Sequence, residues 1–224
     1  MYDDLQLEHS STVDRAVEEI RRALFAGQID AGTPLREVAL SEAMGVGRST
    51  IREALAALVA EGIAVRVPNK GVAVKELSAD DVRDVSRGRA ALETAGVRRW
   101  KGAPEEARQQ VRDALDHYSR LATEDTDSAT LTEAHLQIHR ALVGLAGSER
   151  LLAAADAWSA EIRLALAHLD RTRRNLNEQV ADHRKLVGLL EAGQDAAALE
   201  ELDHHLAAAE TSLLAAIARD TIEP

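Results

Sequence analysis

The sequence predicts a mainly α protein, in which an N-terminal winged helix-turn-helix is followed by an all-α antiparallel helical-bundle domain. Three observations predict this fold class. Apolar residues recur at helical spacing over most of the 224 residues. Aromatic residues make up only 2% of the chain, so the core must be built from Leu, Val, Ile and Ala, which favours packed helices. Two β-branched runs, residues 63–67 and 72–74, flank a Pro-Asn-Lys-Gly turn and predict one β-hairpin.

Three helices are predicted ahead of this hairpin. Gly45 separates the second helix from the third, because glycine adopts the left-handed conformation that ends a helix at little cost. The predicted helices cover residues 12–26, 35–44 and 48–61. Three helices followed by a hairpin give the order of a winged helix-turn-helix, and we predict a DNA-binding domain over residues 8–75.

The second part of the chain, residues 80–221, is predicted to be a bundle of about six helices that follows a linker at residues 76–79. Ser78 with Asp81 three residues later resembles a capping box at the start of its first helix. Pro104 is expected in the first turn of the second helix. The predicted helices cover residues 79–101, 104–123, 128–146, 149–169, 175–192 and 195–219.

The composition excludes several classes of protein. The chain has no cysteine, which excludes disulfides and thiolate metal sites and is compatible with an intracellular location. No apolar run approaches the roughly 18–20 residues that span a bilayer. The acidic, polar N-terminus is unlike a signal peptide. We therefore expect a cytoplasmic protein with no membrane partner.

The net charge of −11 is unevenly distributed along the chain. Residues 1–75 contain 9 Lys and Arg against 11 Asp and Glu, a net charge of −2. Residues 76–224 contain 18 basic against 27 acidic residues, a net charge of −9. The first part is nearly neutral and can present a local basic patch to double-stranded DNA, whereas the second part repels phosphate.

The third helix has the pattern of a DNA-recognition helix, with an apolar side and a polar side. Arg48 and Arg52 share one face of it, and arginine is the commonest specific reader of guanine in the major groove. Hydroxyl side chains near its N-terminus suit phosphate contacts, and the hairpin tip suits the minor groove. The predicted DNA-binding residues are Arg36, Arg48, Ser49, Thr50, Arg52, Asn69, Lys70 and Gly71.

Four histidines of the second part are candidates for a shared site. His135 and His139 are four residues apart and share one helical face. His183 and His205 are 22 residues apart, across the predicted turn at Gly193, which can bring both to one level of an antiparallel helix pair. Neutral imidazole is the commonest metal ligand. The spacing alone leaves open whether these histidines bind a metal or fill the core and surface.

The N-terminal part resembles the GntR family of bacterial regulators. The resemblance rests on LSEAMGVGRSTIREALAALVAEGI followed by VRVPNKGVAV, and it covers residues 12–75. It implies DNA contacts by Arg36, Arg48, Arg52 and the wing glycine, Gly71. Gly47 stands where the family often has Ser or Thr, a difference that removes one potential phosphate contact.

The second part resembles the FCD effector domain of the FadR-type branch of this family, through RAALE, HLQIH and DHRKLVGLLEAGQ…HHL. The resemblance implies a helical bundle in which an Asp and three His hold a metal. The three His correspond to His139, His183 and His205. His135 occupies the Asp position, and we expect it to bind the metal as a fourth imidazole; the alternative is a three-His site from which His135 turns away. The loss of one negative charge favours Zn or Ni over hard cations.

The resemblance also implies a small organic acid effector that is held at the metal with help from a basic side chain. Arg89, in RAALE, and Arg163 are the candidate effector-binding residues, although each could equally form a surface ion pair. The expected function is that of a transcription regulator, most simply a repressor, which binds a palindromic operator as a homodimer.

A metal-sensing regulator and an enzyme are the alternative functions. In a metal-sensing regulator the ion itself would be the signal, and the histidines do not exclude this. An enzyme is not expected, because none of His135, His139 and His183 belongs to a Glu-x-x-His pair and the chain has no candidate nucleophile beside a base.

Overall fold

The computed structural model describes residues 11–169 and 176–220. Within these ranges the chain forms a winged helix-turn-helix followed by a helical bundle, which confirms the predicted fold class. The elements are α1 (Thr12–Phe25), α2 (Glu37–Met44), α3 (Arg48–Ala60), β1 (Ala64–Val67), β2 (Gly71–Val74), α4 (Ala79–Val97), α5 (Glu105–Leu121), α6 (Ser128–Gly144), α7 (Glu149–Leu169), α8 (Leu176–Glu191) and α9 (Asp195–Asp220). The predicted limits at residues 8, 175 and 221 lie outside the described residues.

The chain divides between Glu76 and Leu77 into two compact units. In the first unit α1 and α2 pack against α3, and β1 follows α3 into an antiparallel hairpin. The hairpin register pairs Ala64 with Val74 and Val67 with Gly71. The core of this unit is aliphatic, with buried side chains that include Ile20, Leu24, Ile51, Leu55 and Leu58.

Helix α2 begins two residues later than predicted, at Glu37 rather than residue 35. The Leu35 N–H donates to the carbonyl of Val72 in β2 at 2.8 Å, and Pro34 forms a bridge with Ala73. Leu35 therefore pairs with the wing in the manner of a strand. The apolar pattern around Leu35 does not predict this contact.

The first helix of the second unit is shorter than predicted. Helix α4 ends at Val97, and a 3-10 turn over Trp100–Gly102 replaces its predicted last turn. Pro104 is the N-cap of α5, with ψ 149°, and not a residue of its first turn as predicted. Ala103 before it has ψ 149° too, because the residue before a proline is driven out of the helical region.

The second unit is a bundle of the helices α4 to α9. Helix α4 packs against α6, α7 and α9, while α5 packs against α6 and α8, and α8 packs against α9. Its principal core consists of aliphatic side chains with Trp100 and Tyr118 as the large aromatic members. Ser78 caps α4 in a capping box with Asp81, as the sequence predicted.

Gly96 sets the distance between α4 and α6. A Cβ atom at this position would lie 1.9 Å from the carbonyl oxygen of Leu142, so only glycine permits the approach. Glu93 lies one turn before Gly96 on α4, and His139 lies one turn before Leu142 on α6. The close crossing therefore brings the Glu93 carboxylate to the His139 ring.

Candidate functional site

The turn between α2 and α3 has the geometry of a helix-turn-helix. Gly45 ends α2 with φ +63°, and the Ser41 hydroxyl donates to the carbonyl of Val46 at 2.6 Å. Gly47 is the N-cap of α3 and has no side chain to accept from the first N–H groups of the helix. These N–H groups and the positive end of the helix dipole suit a phosphate.

The residues predicted to bind DNA all lie in the first unit, and most are exposed. On α3, Arg48, Ser49 and Arg52 are exposed and Thr50 is half-buried, whereas Ile51 lies in the core on the opposite face. Arg36 is exposed as the N-cap of α2. The wing tip exposes Asn69, Lys70 and Gly71.

Two charged residues beside these were not predicted. Glu37, in the first turn of α2, accepts two hydrogen bonds from Arg52 of α3, from Nη2 at 2.8 Å and from Nε at 3.2 Å. The hydrogen bond from Arg52 lowers the pKa of Glu37, and the charges of Arg52, Arg48 and Arg66 lower it further. Arg66 is an exposed residue of β1 and adds a cation to this surface. Arg66 could have been predicted, because it is a basic residue within the predicted wing strand at residues 63–67.

The four candidate histidines converge inside the bundle. His135 and His139 lie on α6, His183 lies on α8 and His205 lies on α9. One nitrogen from each ring lies within 4.8 Å of the corresponding nitrogen of every other. The Nε2 atom of His139 is 3.2 Å from Nε2 of His135 and 3.3 Å from Nε2 of His183. His139 and His183 are almost completely buried, with 3% and 1% of their surface exposed.

The orientation of two of these rings is set by hydrogen bonds at Nδ1. His183 Nδ1 lies 2.6 Å from the backbone carbonyl of Gln179, which can only accept, so Nδ1 carries the proton. His139 Nδ1 lies 2.8 Å from Glu93 Oε2 and donates to the carboxylate. Both rings then point the Nε2 lone pair at the centre of the cluster. A carboxylate or carbonyl behind a histidine is the usual support of a metal-binding imidazole.

Burial keeps these imidazoles neutral. Desolvation lowers the pKa of His135 and His139 well below the ordinary value, and the neighbouring charged groups add to the effect. Desolvation likewise lowers the pKa of His205 to about 3 and lowers that of His183. A neutral imidazole has a lone pair to give, which is the form that binds a metal.

The spacing and the unpaired atoms of the cluster fit a metal ion. With both Nδ1 atoms protonated, two Nε2 lone pairs face each other at 3.3 Å, an arrangement that a cation between them would stabilise. Two ligands at about 2.0–2.1 Å from a tetrahedral ion are separated by about 3.3 Å, close to the 3.2 and 3.3 Å observed. The buried Nε2 of His205 has no hydrogen-bond partner within the described part of the chain. The four histidines can therefore hold a metal.

Arg89 lies behind this cluster and reaches it through Glu93. Its Nε donates to Glu93 Oε1 at 3.0 Å, and the two side chains are only 10% and 2% exposed. Burial raises the pKa of Glu93, and the charge of Arg89 opposes that rise. The Arg89 Nη2 atom is buried and has no partner among the described residues. This nitrogen is thus a hydrogen-bond donor with no acceptor among the described residues.

Comparison with known proteins identifies the family. The family described as "Bacterial regulatory proteins, gntR family" matches residues 12–74, and the FCD domain matches residues 84–208. The chain belongs to the GntR family. This GntR-family protein is 27% identical to the "Probable D-xylose utilization operon transcriptional repressor" of Paenarthrobacter nicotinovorans, over 91% of this chain and 89% of that protein. It is 30% identical to the "Nta operon transcriptional regulator" of Aminobacter aminovorans, over 71% and 74% of the two chains.

The fold also matches a GntR regulator of known structure. A transcriptional regulator from Rhodococcus sp. RHA1 has a TM-score of 0.80 and 27% sequence identity, over 92% of this chain and 99% of that chain. The relatives are transcription regulators and not enzymes, in agreement with the prediction, and repressors are among them. This GntR-family protein is therefore a DNA-binding transcription regulator with an FCD domain. Its placement in the FadR-type branch stays a prediction.

The two predicted effector arginines of this GntR-family protein lie in different surroundings. Arg89 lies against the histidine cluster, and its charge contributes to the pKa of all four histidines. Arg163 on α7 instead forms an ion pair with Glu133 on α6. The structure thus groups Arg89 with the candidate metal site, through Glu93.

Glu93 and Tyr118 complete the surroundings of the cluster and were not predicted. The Tyr118 ring stacks on His135 with ring centres 5.3 Å apart, and its hydroxyl donates to Gln179 Oε1 at 3.0 Å. The signal for Glu93 was present in RAALE, since Arg89 and Glu93 interrupt an otherwise apolar stripe of α4 at a spacing of four residues.

Across the described residues, each helix is too short or too polar to cross a membrane.

Proposed function

We propose that this protein is a repressor that binds a palindromic operator as a homodimer and releases it when a small carboxylate binds at a metal, Zn or Ni, held by the four histidines. The observation that carries this proposal is the convergence of four neutral imidazoles on one point beside a buried arginine. Support for each step comes from different parts of the chain.

The DNA-binding step rests on α3 and the wing. Exposed Arg48 and Arg52 on one face of α3 suit guanine edges in the major groove, and the exposed Lys70 at the wing tip suits phosphate or the minor groove. A single winged helix covers only a short half-site. A dimer doubles the contacts, and its two-fold symmetry requires a palindromic operator.

The choice of Zn or Ni follows from the donor set. Four nitrogen ligands without a carboxylate suit borderline transition metals, and the two ligand distances of 3.2 and 3.3 Å suit tetrahedral Zn. The substitution His135→Asp would add a negative charge to the site. We expect this variant to gain affinity for Mn or Mg of about tenfold relative to Zn.

The effector step rests on charge. A divalent ion brings two positive charges into a site where Arg89 already balances Glu93, so an anion is needed to offset them. The Nη2 atom of Arg89 can donate to a carboxylate oxygen, and the ion would supply the remaining attraction. We therefore propose Arg89 as the effector-binding arginine. Arg163 remains a weaker candidate because Glu133 already engages it.

Coupling between the two steps would pass through α4. This helix contains both Arg89 and Glu93, and it begins only five residues after β2 ends at Val74. A ligand that binds Arg89 and moves it would act directly on α4, the element that follows the wing in the chain. For release of DNA, the carboxylate must bind the DNA-incompetent arrangement more tightly.

The test is an operator-release titration. The operator is first selected with the full chain from a pool of random 30-base-pair duplexes, and its complex is then titrated with Zn alone or with a panel of organic acids after Zn loading. The panel includes acetate, lactate, citrate and D-xylonate, with D-xylose as a neutral control because one relative is named for a D-xylose operon. We expect at least tenfold weaker DNA binding with one acid, and no response in Arg89→Ala.

The control variant and the contradicting results are defined by the same titration. Arg87→Ala removes an exposed arginine from α4 and should respond as wild type. Release by Zn alone would favour the metal-sensing regulator, in which the ion is the signal. Failure of every acid to act on the Zn-loaded protein, with Zn also inactive, would contradict the effector proposal.

A further inference from the structure

The ion pair between Glu37 and Arg52 uses one particular edge of the arginine. Arg52 donates through Nε and one hydrogen of Nη2, at 3.2 and 2.8 Å. A guanidinium has five N–H bonds, so the two of Nη1 and the second of Nη2 remain. One N–H of Nη1 lies parallel to that of Nη2, and together they form the outer edge, which is suited to the paired contact with O6 and N7 of guanine. Glu37 therefore engages Arg52 without blocking that edge.

Neither stability nor general affinity for DNA accounts for Glu37. The pair is on the surface, with Arg52 62% and Glu37 33% exposed, and exposed ion pairs contribute little to stability. A carboxylate close to Arg48, Arg52 and Arg66 also opposes the attraction of this surface for phosphate. What the carboxylate does supply is a fixed direction for a long, otherwise mobile side chain.

We propose that Glu37 is a specificity-determining residue, which positions the guanidinium of Arg52 for one guanine in each half-site. The inference rests on the DNA binding of α3. Fixing Arg52 before binding reduces the rotamer freedom that is lost on contact with the base. The same carboxylate repels the phosphate backbone of every sequence, and only the guanine contact offsets that loss. Glu37 thus increases the ratio of specific to non-specific binding through the guanine contact.

The test compares the sequences that variants select. The full-length wild type, Glu37→Ala, Glu37→Gln and Arg52→Ala are each used to select from the same pool of random 30-base-pair duplexes. We expect the wild type to enrich a guanine in each half-site that Arg52→Ala no longer enriches. In Glu37→Ala the preference for that guanine should fall about tenfold, as expected for the weakening of one paired base contact. Glu37→Gln, which keeps one acceptor oxygen, should fall in between.

The matched control is Glu42→Gln, which removes the same charge from an exposed position of the same helix. Glu42→Gln should keep the guanine preference of wild type. Glu37→Ala should bind an unrelated duplex at least as tightly as wild type does. Circular dichroism melting checks that all variants remain folded. Unchanged guanine preference in Glu37→Ala, or loss of the same preference in Glu42→Gln, would overturn the proposal. If wild type enriches no sequence, DNA recognition itself fails, a result that is distinct from these and also overturns the role of Glu37.

Discussion

Two arginine–glutamate pairs, one from each unit, differ mainly in their exposure. Arg52 and Glu37 are 62% and 33% exposed on the DNA-binding unit, whereas Arg89 and Glu93 are 10% and 2% exposed inside the bundle. Water screens the first pair, so the pair adds little to stability and leaves the outer edge of Arg52 accessible. The second pair is shielded from water, so each charge depends on the other for compensation. The exposed pair suits reading a surface, and the buried pair suits holding a metal ligand in place.

The largest effect is expected from breaking the buried pair. Glu93→Gln removes one charge and leaves Arg89 uncompensated, so we expect a loss of about 3–5 kcal/mol in the free energy of unfolding. Chemical denaturation monitored by circular dichroism measures it. The double variant Arg89→Met with Glu93→Gln removes both charges and should recover most of the loss. A loss below about 1 kcal/mol in Glu93→Gln would show that the pair is not buried as described.

A smaller loss is expected at the crossing of α4 and α6. In Gly96→Ala the new Cβ meets the carbonyl oxygen of Leu142, and we expect a loss of about 1–3 kcal/mol from forcing the helices apart. The displacement should also weaken metal binding by about 10–100-fold, because Glu93 no longer reaches His139. Both are measured on one preparation, by denaturation and by competition with a zinc chelator.

Gly188→Ala is the control for this substitution. Gly188 lies on α8 with nothing within 4 Å of the position of a Cβ atom, so alanine should stabilise the helix by about 0.5–1 kcal/mol. Equal stability changes for Gly96→Ala and Gly188→Ala would contradict the close crossing.

Removing a recognition arginine should affect DNA binding and leave folding unchanged. Arg48→Ala is expected to weaken binding to the selected operator by about 1–3 kcal/mol, because it removes a guanine contact. Gel-shift titration at fixed salt measures the change. Arg22→Ala, which removes an exposed arginine from α1, is the control and should bind as wild type. Wild-type affinity for Arg48→Ala would remove Arg48 from the recognition role.

The smallest effect on the free energy of unfolding is expected from removing the charge of Glu37 in the exposed pair. Glu37→Gln should change the free energy of unfolding by less than about 1 kcal/mol, since the pair is largely in water. Thermal and chemical denaturation together measure this change. A loss as large as that of Glu93→Gln would remove the contrast between the two pairs.

The sequence predicted local features better than features that depend on packing. The turn at Gly45 and the capping box at Ser78 each depend on residues close together in the chain, and both were predicted. The start of α2 was wrong because Leu35 pairs with Val72, which is 37 residues away. The predicted end of α4 was wrong because residues 100–102 form a 3-10 turn, whose Trp100 packs in the core.

The candidate site shows the same division. The pair His135 and His139 follows from helical spacing, and His183 with His205 follows from one turn between two helices. Glu93 was missed although it contacts His139, because only the crossing at Gly96 brings α4 to α6. Glu37 was missed for a related reason, since its contact with Arg52 joins two helices across the turn.

The metal content of the purified protein shows directly whether the four histidines bind an ion. The full chain is loaded with Zn or Ni, desalted and analysed by inductively coupled plasma mass spectrometry beside His139→Ala and His204→Ala. A four-histidine site should hold about one ion per chain in wild type and in His204→Ala, whose histidine is exposed and lies outside the cluster, and should lose the ion in His139→Ala. Wild-type protein that retains no ion, or His139→Ala that retains as much as wild type, would contradict it.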